Sequence, residues 1–145
     1  MKVLIAVDDQ THEAVTVAKQ LFPNADHTIV SATDVDRLLF AEPYTGGIVS
    51  PALSDEVLKA AESRATDAVE AAKDIVGSDA EIQVKIGEAG SVICQQAVLL
   101  GADVIVVGRR SHSWLSRVFD QPVSDYVVRH APCPVLVVNE PSKPT

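Results

Sequence analysis

Residues 103–138 contain the pattern that most constrains how this chain can fold. A short apolar run rich in β-branched residues, at positions 103–107, is typical of a strand buried on both faces of a parallel sheet. We expect Gly108 to end this strand. The polar and cationic residues that follow it then form a loop at the carboxyl end of the strand, which is where open α/β sheets bind ligands.

The second half of the same stretch predicts a helix and a further strand. Apolar residues recur at helical spacing over residues 123–130, which indicates one core-facing side. Pro132 and Pro134 end this helix, because proline lacks an N–H group and disfavours helix in the residue before it. Residues 135–138 are again apolar and β-branched, so the whole stretch predicts a β-loop-α-β unit.

The rest of the chain repeats this alternation of strands and helices. An apolar helical face follows the first strand, a long helical pattern begins at Pro51, and a third helix is expected over residues 92–100. The other strands are expected at residues 2–7, 27–33 and 80–86. Such alternation predicts an α/β fold with an open five-stranded parallel sheet, helices on both faces and right-handed connections.

Charge is concentrated at the loop that follows the fourth strand. The chain has a net charge of -8, yet Arg109 and Arg110 lie together directly after Gly108. Guanidinium groups match the geometry of phosphate and carboxylate, so an anion site is one interpretation. The other is a solvated basic loop paired with acidic residues such as Asp120 and Asp125, which contributes little stability. The sequence leaves both interpretations open.

The stretch also resembles the C-terminal signature of the universal stress protein family. That signature is G-x-x-G, nine residues, then G-[ST], followed by a helix and a strand of the type HAPCPVLVV. Residues 123–130 and 131–138 match the last two parts closely. The likeness extends over nearly the whole chain and implies a Rossmann-like sheet with strand order 3-2-1-4-5. It also implies a homodimer, and it implies that some relatives wrap ATP phosphates with the signature glycines.

This chain departs from the signature at the positions that grip phosphate. Gly108 matches the first glycine, but Ser111, Gln121 and Pro122 replace the second glycine, the third glycine and the Ser/Thr. Glycine allows close approach of the backbone to a phosphate, whereas Gln121 adds a side chain and Pro122 removes an N–H donor. We therefore expect weak or absent ATP binding and no required cofactor, with residual ATP or AMP binding left open.

The candidate binding residues lie at strand ends and at the signature positions. The resemblance places an aspartate at position 8 against adenine, although a polar residue beside a helix N-terminus explains it equally well. The full candidate set is Asp8, Thr33, Val107, Gly108, Arg109, Arg110, Ser111, Gln121 and Val123.

The sequence shows no pattern for catalysis or metal binding. It contains no G-x-G-x-x-G after the first strand, no G-x-x-x-x-G-K-[ST] and no G-x-S-x-G. Its four histidines are scattered, and His130 at the end of the last helix is interpreted as a capping or packing residue. The chain is therefore expected not to be an enzyme.

Composition narrows the setting in which the protein works. The acidic net charge disfavours a general nucleic-acid surface, and no apolar run reaches the roughly 20 residues that a membrane span needs. Because residues 1–7 lead straight into the first strand, we expect no signal peptide. Cys94 and Cys133 fit neither a zinc spacing nor a disulfide framework, which indicates buried reduced thiols and a cytoplasmic protein.

Two functional hypotheses follow from these observations. The first is a single universal stress protein-like domain over residues 1–139, with a short disordered tail at 140–145, that acts through dimerisation and protein contacts. The second is a small nucleotide-binding protein for ATP, AMP or cyclic AMP in which Arg109 and Arg110 hold phosphate.

Residues 34–50 form a long connection typical of a lid or mobile loop. The dimer is expected to form through the exposed edge strand, at Pro134, Val135, Leu136, Val137 and Val138.

Overall fold

The computed structural model describes residues 1–8, 12–33, 51–110 and 123–140. The strands are β1 (Lys2–Ala6), β2 (Asp26–Thr33), β3 (Glu81–Ile86), β4 (Val104–Arg110) and β5 (Val135–Glu140). The helices are α1 (Glu13–Leu21), α2 (Pro51–Val76), α3 (Ala89–Leu100) and α4 (Val123–His130). The predicted loop at residues 34–50 and the end of the tail, residues 141–145, lie outside the described residues.

The five strands form one parallel sheet in the order β3-β2-β1-β4-β5, as predicted. The central strand β1 pairs with both neighbours, so that Ala6 lies opposite Val30 of β2 and Val107 of β4. The strand order reverses between β1 and β4, because later strands are added on the other side of β1 from that point. The edge strands β3 and β5 each pair on one side only within the described residues.

Alternate residues of the strands supply two separate cores, one on each face of the sheet. Helices α1 and α2 cover one face, and α3 and α4 cover the other. The first core includes Val3, Ile5, Val15, Ile29, Val69 and Val106. The second includes Leu4, Val30, Ile93, Ile105 and Val127. Each fully buried Val, Leu or Ile side chain contributes roughly 1.5–3 kcal/mol relative to exposure, so both faces are needed to stabilise the sheet.

Three details of the elements differ from expectation. Gly108 does not end β4, which continues in strand conformation through Arg110. The last strand likewise continues beyond Val138 to Glu140, since Asn139 and Glu140 pair with Arg109 and Arg110. His130 is exposed rather than core-facing. The structure places it at the end of α4, where its ring stacks on Tyr126 with centroids 4.1 Å apart.

Helices α3 and α4 are in close contact at Gly90. This glycine is buried in the first turn of α3, and a Cβ atom placed on it would lie 2.5 Å from Cδ1 and 2.8 Å from Cγ of Tyr126. No real Cβ contact is that short, so the Tyr126 ring occupies the space that any other residue would need. The absence of a side chain at position 90 therefore sets the spacing of the two helices.

The contact at Gly90 predicts that Gly90→Ala destabilises the protein. Overpacking of this kind costs typically about 1–3 kcal/mol, which exceeds the gain of up to about 1 kcal/mol that alanine brings to a helix. The free energy of unfolding, measured by urea denaturation, is expected to fall by about 1–2 kcal/mol. Tyr126→Ala serves as the matched partner, because Gly90→Ala should cost much less in that background. If Gly90→Ala lowers the free energy of unfolding equally in the wild-type and Tyr126→Ala backgrounds, the proposed contact is wrong.

Candidate functional site

The strand order reverses between β1 and β4, and the carboxyl ends of these strands are where open α/β sheets usually have a ligand crevice. Ala6 and Val107 are opposite each other in adjacent strands. Asp8 and Arg109 each lie two residues further along the chain from that pair, so the structure brings both to this end of the sheet. Both side chains are exposed to solvent.

The other described candidates divide between the two faces of the sheet. Thr33 has the same strand parity as Ile29 and faces the α1–α2 side, where it is buried. Its carbonyl oxygen accepts a hydrogen bond of 2.8 Å from the N–H of Gly87, which ties the ends of β2 and β3. Val107 has the parity of Ile105 and is buried toward the α3–α4 side. Thr33 and Val107 thus lie on opposite faces of the sheet, and their side chains do not converge on one ligand.

The arginine pair has a different local structure from the loop that we predicted. Arg109 and Arg110 are the last two residues of β4 and pair in register with Asn139 and Glu140 of β5. Consecutive positions of a strand project to opposite faces of the sheet. Arg109 has the same strand parity as Ile105 and therefore continues the α3–α4 side of β4, while only the backbone of Arg110 is described.

Two helix N-termini lie at the same end of the sheet, because α3 follows β3 and α4 follows β4. The N-cap residue of α3 is Glu88, and its side chain makes no capping hydrogen bond. The first turn of α3 includes no acidic residue. In α4 the first turn includes Asp125, and Val123 is half-buried. Helix N-termini carry partial positive charge and unpaired N–H groups that favour anions, but Glu88 and Asp125 already place carboxylates at these two N-termini.

Sequence reasoning missed Ser124, the second residue of α4. Its side chain is 2% exposed, and its Oγ atom is buried without a hydrogen-bond partner. Ser124 precedes Val127 by three residues and shares its core-facing side, a spacing that could have identified it. The hydroxyl places a polar group under the N-terminus of α4, where the sequence suggested only apolar contacts.

Three of the signature positions cannot be placed relative to this crevice. Ser111, Gln121 and Pro122 lie outside the described residues. The expected weakness of the phosphate grip therefore remains a prediction from the sequence.

A separate cavity of about 470 Å³ lies at the opposite end of the sheet, where the strands begin. Its lining includes Lys2, Asp26, His27 and Glu81. The Nε2 atom of His27 is buried without a hydrogen-bond partner. None of the predicted site residues lines this cavity, so its volume is not evidence for the site at the carboxyl ends of the strands.

The remaining reactive groups show no catalytic arrangement among the residues that the structure describes. His130 donates through Nδ1 to the carbonyl oxygen of Tyr126 at 2.9 Å, which fits the predicted role in packing and helix ending. Within the same ranges, no three His, Cys, Asp or Glu side chains are grouped so that they could hold a metal ion. The described helices also include none long and apolar enough to cross a membrane.

Both cysteines are free thiols packed against the second core. Burial raises the pKa of the Cys94 thiol, and the nearby Cys133 raises it further. Burial is also the main cause that raises the pKa of Cys133; Asp103 adds to the increase and a backbone hydrogen bond with Ile105 opposes it. The raised pKa values keep both thiols protonated, and therefore weakly nucleophilic, near neutral pH.

The sheet order, the crevice and the helices on both faces define a doubly wound α/β protein of the Rossmann-like class. The sequence model of the universal stress protein family matches residues 1–139, and the chain belongs to this family. A relative from Staphylococcus haemolyticus, named for the same family, is 34% identical over 146 residues, which cover 94% of this chain and 82% of that protein. A universal stress protein of Synechocystis is 44% identical over 62 residues, and this match covers 43% of the chain and only 40% of that relative.

Solved structures of the family share the fold at lower sequence identity. A universal stress protein family protein from Arabidopsis thaliana, solved with AMP bound, superposes with a TM-score of 0.64 at 19% identity, covering 97% of this chain and 92% of that one. A universal stress protein solved in complex with cAMP superposes with a TM-score of 0.61 at 22% identity, covering 96% of both chains. These superpositions support the fold assignment made from the sheet.

The environment of the thiols predicts slow alkylation of the native protein. Because the thiolate is the reactive form, the raised pKa values of Cys94 and Cys133 lower the reactive fraction at pH 8. Labelling with iodoacetamide is expected to be several-fold slower in the native protein than in urea, with the rate increasing only as pH rises beyond the ordinary thiol range. Cys94→Ser and Cys133→Ser assign the rate to each site. Equal rates in native and unfolded protein would contradict this description.

Proposed function

We propose that this protein is a cytoplasmic, non-enzymatic binding module of the universal stress protein family that regulates stress responses through dimerisation and protein contacts. Its adenine-nucleotide crevice has a weakened hold on the phosphates. The main support is the strand conformation of Arg109 and Arg110, which continue β4 past Gly108 in register with β5. Binding without turnover is the activity that this arrangement favours.

The strand conformation matters because a phosphate cradle needs a tight turn after the first glycine. In the resembling nucleotide binders that turn directs backbone N–H groups toward the phosphates. Here the backbone after Gly108 is extended and pairs with β5 for two more residues. The N–H groups of an extended backbone lie in the plane of the sheet and point toward neighbouring strands. They therefore do not surround an anion.

The sequence adds a second loss at the start of the last helix. Pro122 lacks an N–H group, and Gln121 introduces a side chain where the family signature has glycine. The loss of one hydrogen bond to a charged group costs about 1.5–3 kcal/mol, which weakens binding roughly tenfold to hundredfold. Adenosine recognition near Asp8 does not depend on these positions, so an adenosine-shaped hollow is compatible with a poor phosphate grip.

The second candidate function is binding of a nucleotide with a single phosphate group, such as AMP or cyclic AMP. It is favoured by Arg109, an exposed cation at the same end of the crevice as Asp8, and by the N-termini of α3 and α4 there. Two family members of this fold have been solved with AMP and with cAMP. One phosphate needs fewer donors than the triphosphate of ATP, so a single guanidinium with a helix N-terminus suffices.

We further propose a homodimer through the edge strand, at Pro134, Val135, Leu136, Val137 and Val138. β5 pairs only with β4 among the described strands, so its other side offers unpaired N–H and C=O groups. Val128 of α4 is 56% exposed and adds apolar surface on the helix that precedes this strand. An uncovered apolar edge is an aggregation hazard, and antiparallel pairing with a second β5 about a two-fold axis removes it.

Calorimetric titration with ATP tests the weakened grip. The wild type is expected to show a Kd weaker than about 100 μM, since the missing donors cost one to two decades of affinity. Gln121→Gly combined with Pro122→Ser is expected to gain at least about tenfold. A wild-type Kd in the low micromolar range would contradict the proposal.

The same titration with AMP and cyclic AMP separates the two candidate functions. If either nucleotide binds, Arg109→Ala should weaken it by about tenfold or more, as expected for the loss of a charge-assisted contact. Arg64→Ala on the exposed side of α2 is the matched control, because it removes an equal charge far from the crevice. If none of these nucleotides binds, the second candidate function is wrong and protein contacts remain as the proposed function.

Sedimentation equilibrium tests the β5 dimer. Val137→Lys is expected to raise the dimer dissociation constant by at least about tenfold, because a buried lysine charge at the edge is costly. Ile86→Lys on the opposite edge strand β3 makes the same change in charge at an exposed apolar residue and should leave the dimer intact. Circular dichroism confirms that each variant is folded. Equal effects of the two substitutions would contradict pairing through β5.

A further inference from the structure

The cavity at the beginning of the strands lies beside helix C-termini. Each helix runs back along the sheet before the next parallel strand starts, so α2 and α3 end at this side of the molecule. Val76 and Leu100, the last residues of these two helices, both line the cavity. Helix C-termini carry partial negative charge and carbonyl oxygens without a partner inside the helix. This end of the sheet therefore favours a cation.

Two carboxylates and one hydroxyl share the α3–α4 face of this cavity. Asp26 and Thr28 are two residues apart in β2, and Thr28 pairs in register with Glu81 of β3. Thr28 also pairs with Leu4, whose side chain enters the core under α3 and α4. Neighbouring strands are about 4.8 Å apart and alternate residues of a strand about 6.6 Å apart, so the two carboxylates flank the hydroxyl closely.

Thr28 supplies the observation that points to a ligand. It lines the cavity and is only 9% exposed, yet its hydroxyl forms no hydrogen bond within the described residues. Burial of an unpaired polar group costs free energy, and most buried hydroxyls therefore have a partner. A ligand with a hydrogen-bond donor, held between the two carboxylates, would satisfy this hydroxyl.

The side chain of Lys2 shows which chemistry this surface accepts. Lys2 pairs in register with Asp26, and its Nζ atom donates to the carbonyl oxygen of Leu100 at 3.2 Å. An ammonium group thus already complements the C-terminus of α3. Because Asp79 also lines the cavity, three carboxylates surround it against the single ammonium of Lys2, which leaves a net charge of -2. Two positive charges would balance this excess.

We propose that the cavity binds an aliphatic diamine, with its ammonium groups at Asp26 and Glu81 and a hydrogen bond to Thr28. The cavity volume of about 470 Å³ is within the range of roughly 300–1,000 Å³ that is typical of small-molecule sites. Leu4 and Ala102 are apolar parts of the lining and suit a methylene chain between two charged ends.

A bare metal ion fits this cavity less well than an organic cation. Among the described residues, no three His, Cys, Asp or Glu side chains are grouped so that they could hold one. The diamine site also lies at the opposite end of the sheet from the proposed nucleotide crevice. It therefore does not depend on the proposed function, and Arg109→Ala should leave diamine binding unchanged.

Calorimetric titration with 1,4-diaminobutane in 150 mM NaCl tests the proposal. The wild type is expected to bind with a Kd below about 1 mM, whereas 1,4-butanediol, which has the same chain length without charge, should not bind. Asp26→Asn and Glu81→Gln are each expected to raise the Kd at least about tenfold, through the loss of a charge-assisted hydrogen bond. Thr28→Val keeps the shape of the side chain without its hydroxyl and should raise the Kd several-fold.

Lys2→Gln should change the affinity in the opposite direction. It removes a like charge and releases the carbonyl oxygen of Leu100, so the Kd is expected to fall several-fold. Asp67→Asn and Glu56→Gln, at exposed positions of α2, are the matched controls for the two carboxylate variants. Asp67 lies nine residues before Val76, about 13 Å along the helix, which exceeds the screening length of about 8 Å at this ionic strength. Both controls should bind as the wild type does.

Four results would overturn the diamine site. They are no heat of binding at about 10 mM diamine, equal binding of the diol, equal losses in the control variants, and an unchanged Kd in both Thr28→Val and Lys2→Gln. The last two would indicate diffuse attraction to an acidic surface rather than a site in the cavity. Circular dichroism establishes that each variant is folded. If Asp26→Asn does not fold, Glu81→Gln and Lys2→Gln decide the question, since they are expected to change the Kd in opposite directions.

Discussion

The structure depends on the burial of β1 between β2 and β4. This strand lies at the centre of the described sheet, pairs with β2 on one side and β4 on the other, and its side chains enter both cores. Val3 and Ile5 face α1 and α2, and Leu4 faces α3 and α4. Each helix pair can bury its apolar side only because β1 holds the sheet together beneath it. The crevice at the ends of β1 and β4 exists for the same reason, since it marks the reversal of strand order.

The functional interpretation follows from what lies at that crevice. Two helix N-termini and Arg109 lie there, and the extended backbone after Gly108 supports the proposal of a weak hold on a triphosphate. The buried hydroxyl of Ser124 adds a polar group under α4 that the family signature does not mention.

Much of the fold could be predicted from the sequence, because alternation of buried strands and amphipathic helices has a strong periodic signal. The strand order came from the family resemblance, since alternation alone does not fix which strands are neighbours. The end of β4 was misjudged because glycine usually interrupts a strand; here pairing with β5 carries the strand through Gly108. Tertiary contacts also decided the orientation of His130 and the burial of Ser124. Gly90 is significant only through the ring of Tyr126, a contact between helices that no local pattern reveals.

The reciprocal contact between the start of β1 and the turn before β4 has a consequence for how the protein is made. The backbone N–H of Lys2 donates to Oδ2 of Asp103 at 2.7 Å, and the N–H of Asp103 donates to the carbonyl oxygen of Lys2 at 2.8 Å. These partners are 101 residues apart. On the ribosome, β1 emerges before β4, and one of its sides stays unpaired until β4 has left the exit tunnel. Completion of the sheet therefore waits for a segment made about 100 residues after β1, and the nascent chain carries an open apolar strand over that interval.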